Sequence, residues 1–247
     1  MALGLYVQTK TGVQQRQFTD LPWQIERVED NRLDVLGFRL GVSKPADFVG
    51  RLPVPDIRLF VQPDGEAILE AFYVNARIEP FEANLVARLE WPDDQFEWLL
   101  SQRVSERPMP SGARRYGLSD AALSRMGDRP IIELSYVPRA RWTADQLLSF
   151  FGPPSERLDL DRDQAYWLYP EKSTAIMVPR RGRVMMHYTS PDRFDDAVDR
   201  LAALAESRLE AGQLSDDRPA VDADPLTDAA SNPAAGSHSQ SSPRSGE

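Results

Sequence analysis

The sequence contains no cysteine. That one absence removes disulfides, thiolate zinc sites, cysteine nucleophiles and an acylated lipoprotein cysteine, while leaving the redox compartment open. Histidine is almost as scarce, with His187 and His238 alone. No stretch approaches the ~20 apolar residues that a membrane helix needs. Neither a phosphate-binding P-loop nor a glycine-rich dinucleotide turn occurs, so no cofactor is implied. Positive charge is also short: 29 Lys and Arg against 38 Asp and Glu give a formal net charge of −9. An acidic chain repels phosphate backbones, which argues against nucleic acid as a partner.

What is present is enough apolar material for a core: 41% of the 247 residues are hydrophobic and 9% aromatic. Residues 1–7 form a short apolar run with no charged residue before it. Two readings stay open for it, a frayed start or first strand, and the stub of a missing or truncated N-terminal anchor that would give membrane association. Residues 212–247 hold no aromatic residue and are rich in Asp, Ser, Ala and Pro. Such a composition predicts a disordered acidic tail, because it buries too little apolar area to offset ordering entropy.

Between these ends the helix punctuation is regular. Ser190, Pro191 and Asp192 open a predicted helix in which Phe194, Ala197, Val198, Leu201, Leu204 and Ala205 recur at three-and-four spacing, with Gly212 as the stop. Thr143 and Gln146 form a capping box before Leu147, Leu148, Phe150 and Phe151, and Gly152, Pro153 and Pro154 end that element. Asp94 and Glu97 open a helix expected to carry Phe96, Leu99, Leu100 and Val104. Ser119 opens one with Leu123 and Met126, and Ser43 opens one with Pro45, Phe48, Val49 and Leu52. Strands are expected at residues 57–61, 66–74, 85–91, 131–137, 156–160, 166–169, 174–178 and 183–188. Pro63, Asp64 and Gly65 form one turn, and Arg180, Arg181 and Gly182 another. Short neighbouring strands joined by brief turns predict antiparallel meanders.

The expected class is therefore α+β, with two helix-plus-antiparallel-meander units, a helical connector and a C-terminal helix. The boundaries read as an N-terminal extension at 1–36, a first unit at 37–91, a connector at 92–142, a second unit with the C-terminal helix at 143–211, and the tail at 212–247. The units look like copies: Ser43 and Thr143 each open a helix that a proline, Pro53 or Pro153, ends ten residues later. Leu40, Gly41, Val42 and Ser43 followed by Phe48, Leu52 and Pro53, and again Leu148 to Pro154 followed by Tyr166 to Tyr169, resemble the opening of small envelope modules. These modules include the outer-membrane assembly lipoprotein of SmpA/OmlA type and the tandem β-lactamase-inhibitor-protein fold. The chain as a whole resembles proteobacterial proteins. The likeness covers about residues 37–91 and 143–188, and it departs at Leu52, which stands where the modules carry glycine, and in the missing lipidation cysteine. It implies a protein-binding or scaffolding role on the periplasmic side of the cell envelope and names no ligand. A cytoplasmic location is the alternative.

Chemistry is sparse. Asp159, Asp161 and Asp163 imitate the start of a calcium loop, but Gln164 and Pro170 occupy the positions that need Gly and Glu, so no metal is expected. A hydrolase using carboxylates or His187 is the alternative to an interaction module, although no nucleophile elbow accompanies the histidine. Candidate partner-binding residues are Tyr166, Trp167, Tyr169 and Tyr188, with Arg180, Arg181 and Arg183. Alternation places Tyr166 and Leu168 on one sheet face and Trp167 and Tyr169 on the other. An exposed aromatic face would make a contact patch; a sheet covered on both sides would not. The arginines, with Arg114, Arg115, Arg139 and Arg141, would bind an anionic partner if they converge, and otherwise serve as solubilising charge on turns.

Overall fold

A computed structural model describes residues 18–91, 93–161 and 163–203. The predictions for residues 1–7 and 212–247, and for Leu204 and Ala205, lie outside them. The class is α+β and dominated by antiparallel sheet. Ten strands form one sheet in the order β10-β11-β12-β13-β9-β6-β5-β4-β8-β7. They are β4 (Asp56–Val61), β5 (Ala67–Ile78), β6 (Phe81–Leu89), β7 (Arg103–Pro108), β8 (Arg114–Leu118), β9 (Ile131–Pro138), β10 (Glu156–Asp159), β11 (Gln164–Tyr169), β12 (Thr174–Pro179) and β13 (Met185–Thr189). The strands of residues 57–89 and 156–189 thus share one sheet. β6 and β9 join them, in register from Ala83 opposite Pro138 to Arg88 opposite Glu133, with a one-residue shift before Leu89 opposite Ile131.

Strand alternation gives the sheet an inner and an outer face. Leu59, Leu69, Leu85, Tyr136, Met186, Ile176 and Trp167 point inward into the main core. Burying a side chain of leucine size contributes about 2 kcal/mol, so this inner face is the principal stabilising feature. Four elements cover it. Three are helices: α1 (Phe96–Ser101) through Leu99, α2 (Asp120–Met126) through Ala122 and Met126, and α3 (Ala144–Phe151) through Leu147 and Phe151. The fourth is a three-stranded sheet of β1 (Ile25–Val28), β2 (Arg32–Val35) and β3 (Phe38–Arg39). The punctuation read from sequence holds at α3, where Thr143 and Gln146 make both capping-box bonds, and at α2, where Ser119 caps.

Several expectations change. The helix expected from Ser43 is a single 3-10 turn, Pro45–Phe48. Gly41 and Gly50, at φ of 80° and 81°, bracket it and leave no room for a second turn. The first meander is therefore not preceded by a helix like α3. The region 92–142 is not a helical connector: hairpin β7–β8 and the central strand β9 lie within it. Val104 belongs to exposed β7, because α1 ends at Ser101. The described part of the N-terminal extension is structural, since Leu33, Val35 and Leu36 are buried in the main core. At the C-terminal end a 3-10 turn, Pro191–Arg193, leads into a helix over residues 194–203, here α4. Ser190 makes no cap bond; its hydroxyl donates to the Ile132 carbonyl at 3.4 Å instead.

Candidate binding face

The aromatic residues singled out in the sequence do alternate as expected, but both faces beneath them are covered. Trp167, Tyr169 and Tyr188 lie in the main core, and Tyr166 lies in a second, outer core with Leu160, Leu168 and Ala175, against Val198 and Leu201 of α4. None of the four exceeds 5% exposure, so no aromatic contact patch forms there. Their polar ends are used internally: the Tyr169 hydroxyl donates to Gly152 O at 3.0 Å, and that of Tyr188 to Pro22 O at 2.9 Å.

Arg180, Arg181 and Arg183 are exposed at the β12–β13 turn, where Arg180 pairs with Asp163 at 3.5 Å. Arg114 and Arg115 sit on β8, with β4, β5, β6 and β9 between them and β13. The two clusters do not converge. Arg114 is held by Glu106 at 2.6 Å, and Arg139 donates to Asn75 Oδ1 at 2.8 Å.

His187 is a structural residue. Its Nδ1 shares a hydrogen bond with Ser135 Oγ at 2.8 Å, and its Nε2 is buried without a partner. Burial pushes its pKa down to about 4, so the ring is neutral near pH 7. Its ring centroid lies 5.9 Å from that of Tyr166.

The least covered part of the sheet is the outer face of β4, β5 and β6. Arg58, Glu70, Arg88 and Glu133 stand opposite one another on β4, β5, β6 and β9, a row of alternating charge across the strands. On either side along the strands lie apolar residues, Phe60 and Ile68 on one and Phe72 and Val86 on the other. Phe60 and Phe72 sit four residue levels apart, about 13 Å along a strand, yet their ring centroids are 5.9 Å apart. Both rings therefore lean over the Arg58–Glu70 pair and shield it from water.

This shielding governs Glu70. Its pKa is pushed up to about 7, mainly by burial, with Arg88 opposing and Glu133 adding to the rise. The neighbouring charges have other partners. Arg58 pairs with Asp56 at 2.8 Å, and Arg88 with Glu66 at 2.8 Å and Glu133 at 3.7 Å; Arg200 of α4 pairs with Glu133 at 2.7 Å. Among the described residues Glu70 has neither an ion pair nor a hydrogen bond. Where β5 begins, Glu66, Arg88, Glu90, Trp91, Phe96 and Arg193 line an open cleft of about 460 Å³, rimmed by the pairs Arg88–Glu66 and Arg193–Glu90 (3.1 Å). No cluster of three metal-ligating side chains exists among the described residues.

None of the candidate residues named from sequence lies on the outer face of β4, β5 and β6. Its signal was there: Ile68, Glu70 and Phe72 alternate on one side of a strand, a carboxylate between two apolar neighbours. Which charges stand beside Glu70 depends on strand order, which local sequence does not carry. Compared with known proteins, the chain matches no family model, no curated protein and no solved structure.

Proposed function

We propose that the chain is a non-enzymatic protein-interaction or scaffolding module that meets its partner through the open half of its outer sheet face. One observation carries this reading: Phe60, Ile68, Phe72 and Val86 surround an unpaired, shielded carboxylate, yet belong to neither apolar core of the described residues. Aromatic side chains outside the packed cores are among the residue types enriched at an interface centre, and Glu70 is the exception among them. The sheet edges suit pairing less. β7 bears Arg103, Glu106, Arg107 and Pro108, and β10 bears Glu156, Arg157 and Asp159, which are the residue types that discourage strand addition. The hydrolase alternative has less to work with, because His187 is neutral near pH 7 with its Nδ1 engaged by Ser135, and the cleft carboxylates Glu66 and Glu90 are held by arginines. Placement in the cell envelope rests on the family resemblance alone.

Val74, 41% exposed on β5 at the rim of the face, is the position for a photo-crosslinking residue, with Val104 on β7 as the edge control. A discrete adduct from position 74 and none from 104 is the expected result. Adducts from 104 alone would move the contact to the edge, and none from either would remove the interaction reading. Fractionation of cells expressing the natural gene tests the compartment: recovery in the cytosol would end the envelope placement.

A further inference from the structure

We infer that the β7–β8 hairpin, together with Arg58 of β4, forms an anion site that takes a phosphate group, free or as a monoester. The site lies on the outer face beyond β4 and stands apart from the interaction reading above.

Charge points to the hairpin first. The chain has a net charge of −9, yet residues 103–118 bring Arg103, Arg107, Arg114 and Arg115 against Glu106 alone. Strand register sorts these by face. Arg114 and Glu106 hold each other on the side of Tyr116, which faces the main core. Arg103 donates to the Leu100 carbonyl at 2.9 Å, where α1 ends. Arg107 and Arg115 are register partners, side by side on the outer face in the row of Phe60. Like charges directly opposite on paired strands are destabilising. Arg107 is exposed and makes no ion pair or side-chain hydrogen bond among the described residues. Protection of a sheet edge needs charge on β7 only. Arg115 stands one strand inside the edge, where a second guanidinium adds repulsion and protects nothing. The pair is suited to sharing a counter-anion.

The next row supplies the rest of the site. Gly117 is buried in β8, with Arg58 of β4 on one side and Ser105 of β7 on the other. Its φ lies outside the left-handed region, so conformation does not call for glycine there. Room does: a Cβ would lie 2.7 Å from Arg58 Nη1 and closer still to Ser105 Oγ. Arg58 therefore reaches across β8 toward the hairpin. Asp56 fixes it there by accepting from its Nε at 2.8 Å, which leaves the Nη1 end directed at β7. The Arg58 side chain stays 26% exposed. The Ser105 hydroxyl makes no side-chain hydrogen bond among the described residues. The two rows are about 7 Å apart along the strands and neighbouring strands about 5 Å apart. Side chains of arginine length from positions 58, 107 and 115 span that distance and reach one point above β8.

The donor set selects the ligand. One guanidinium fork saturates the two oxygens of a carboxylate. Three guanidiniums and a hydroxyl match the oxygens that a tetrahedral phosphate presents on several sides. Asp56 already balances Arg58, so the uncompensated charge is that of Arg107 and Arg115, and a phosphate of charge about −2 offsets it. The acidic remainder of the chain repels a long polyanion, so a single phosphate group is the fit.

The test is an NMR titration of the isotope-labelled full chain at slightly alkaline pH and low ionic strength. Sodium phosphate is expected to shift the amides of Ser105, Arg107, Arg115 and Gly117 saturably, with half-saturation at about 1 mM or below. Sodium chloride at matched ionic strength leaves them in place. Arg107→Gln weakens binding about fivefold or more, whereas Arg181→Gln, the same loss of charge on the β12–β13 turn, leaves it unchanged. No saturable shift below about 10 mM, the same shift with chloride, Arg107→Gln binding as tightly as wild type, or an equal loss from Arg181→Gln would overturn the inference. If the spectrum shows that Arg107→Gln does not fold, Arg115→Gln takes its place under the same criteria. A parallel titration with O-phosphoserine names the source: tighter binding than inorganic phosphate identifies a monoester, and equal or weaker binding identifies free phosphate.

Discussion

The outer face of the sheet has two halves that differ in what lies on them. Over β10–β12, α4 lays Val198 and Leu201 on Leu160, Tyr166, Leu168 and Ala175, and the result is a small closed core. Over β4–β6, Phe60 and Phe72 fold across the register partners Arg58 and Glu70 and the rest is left half-buried. One half spends its apolar side chains on stability within the chain. The other holds them around a carboxylate whose ionisation works against folding. The contrast teaches that a covered and an uncovered face of one antiparallel sheet differ less in hydrophobicity than in where their charges sit. The closed half holds His187, neutral near pH 7 beside Tyr166, whereas the open half has a shielded acid at its centre.

The largest test of that comparison is truncation of one leucine-sized side chain in each half. Leu168→Ala is expected to cost about 2–4 kcal/mol of unfolding free energy in urea, whereas Ile68→Ala, in the open half, costs less than about 1 kcal/mol. Equal costs would mean that the open half is as closed as the other.

A pH series separates the halves next, because their titrating groups act in opposite directions. His187 in the covered half titrates at about 4 in the folded chain against 6.5 in the unfolded one. The unfolded chain binds the extra proton, so stability present above about 6.5 is lost as pH falls toward 4. His187→Gln is expected to remove about 2 kcal/mol of that loss, read as a flatter dependence of urea midpoint on pH.

Glu70 shows the reverse sign. Its folded pKa of about 7 lies above the ordinary carboxylate value of 4.5, so the folded chain binds the extra proton. Stability is therefore highest near the acid end of that window and falls as pH rises from 4.5 to 7. Glu70→Gln is expected to raise unfolding free energy by about 1–2 kcal/mol above pH 7 and to change it little near pH 4.5, a figure discounted for partial exposure. A destabilised variant at high pH would show that the carboxylate has a cation the described residues lack. The smallest effect belongs to the cleft rim: Arg193→Ala, which breaks an exposed pair with Glu90, should shift stability by no more than about 0.5 kcal/mol.

Much of the local punctuation was legible in the sequence. The Pro63–Gly65 turn, the Thr143 capping box and the opposite facing of Tyr166 and Trp167 each depend on residues a few positions apart, and each is present. The errors have one origin. Phe48 and Leu52 look like a helix stripe, but a tight turn flanked by Gly41 and Gly50 buries them equally well. Leu33, Val35 and Phe38 alternate over too short a run to announce a sheet, and only the large core makes them strands. The charged row on the outer face is illegible for the same reason: neither Arg58, Glu70 nor Arg88 means anything until β4, β5 and β6 are laid side by side.

The junction of β6 with β9 has a consequence for how the chain is made. A ribosome delivers β4, β5 and β6 together, but the neighbour that completes β6 arrives only after α1, the β7–β8 hairpin and α2 have been synthesised. During that interval a nine-residue strand, alternately apolar, stands with its outer row of amides and carbonyls bare. A nascent chain paused in that stretch is the form most in need of a chaperone. By the same logic, a polypeptide divided between β6 and β9 would yield two fragments with matching sticky edges, able to find each other when produced in the same cell.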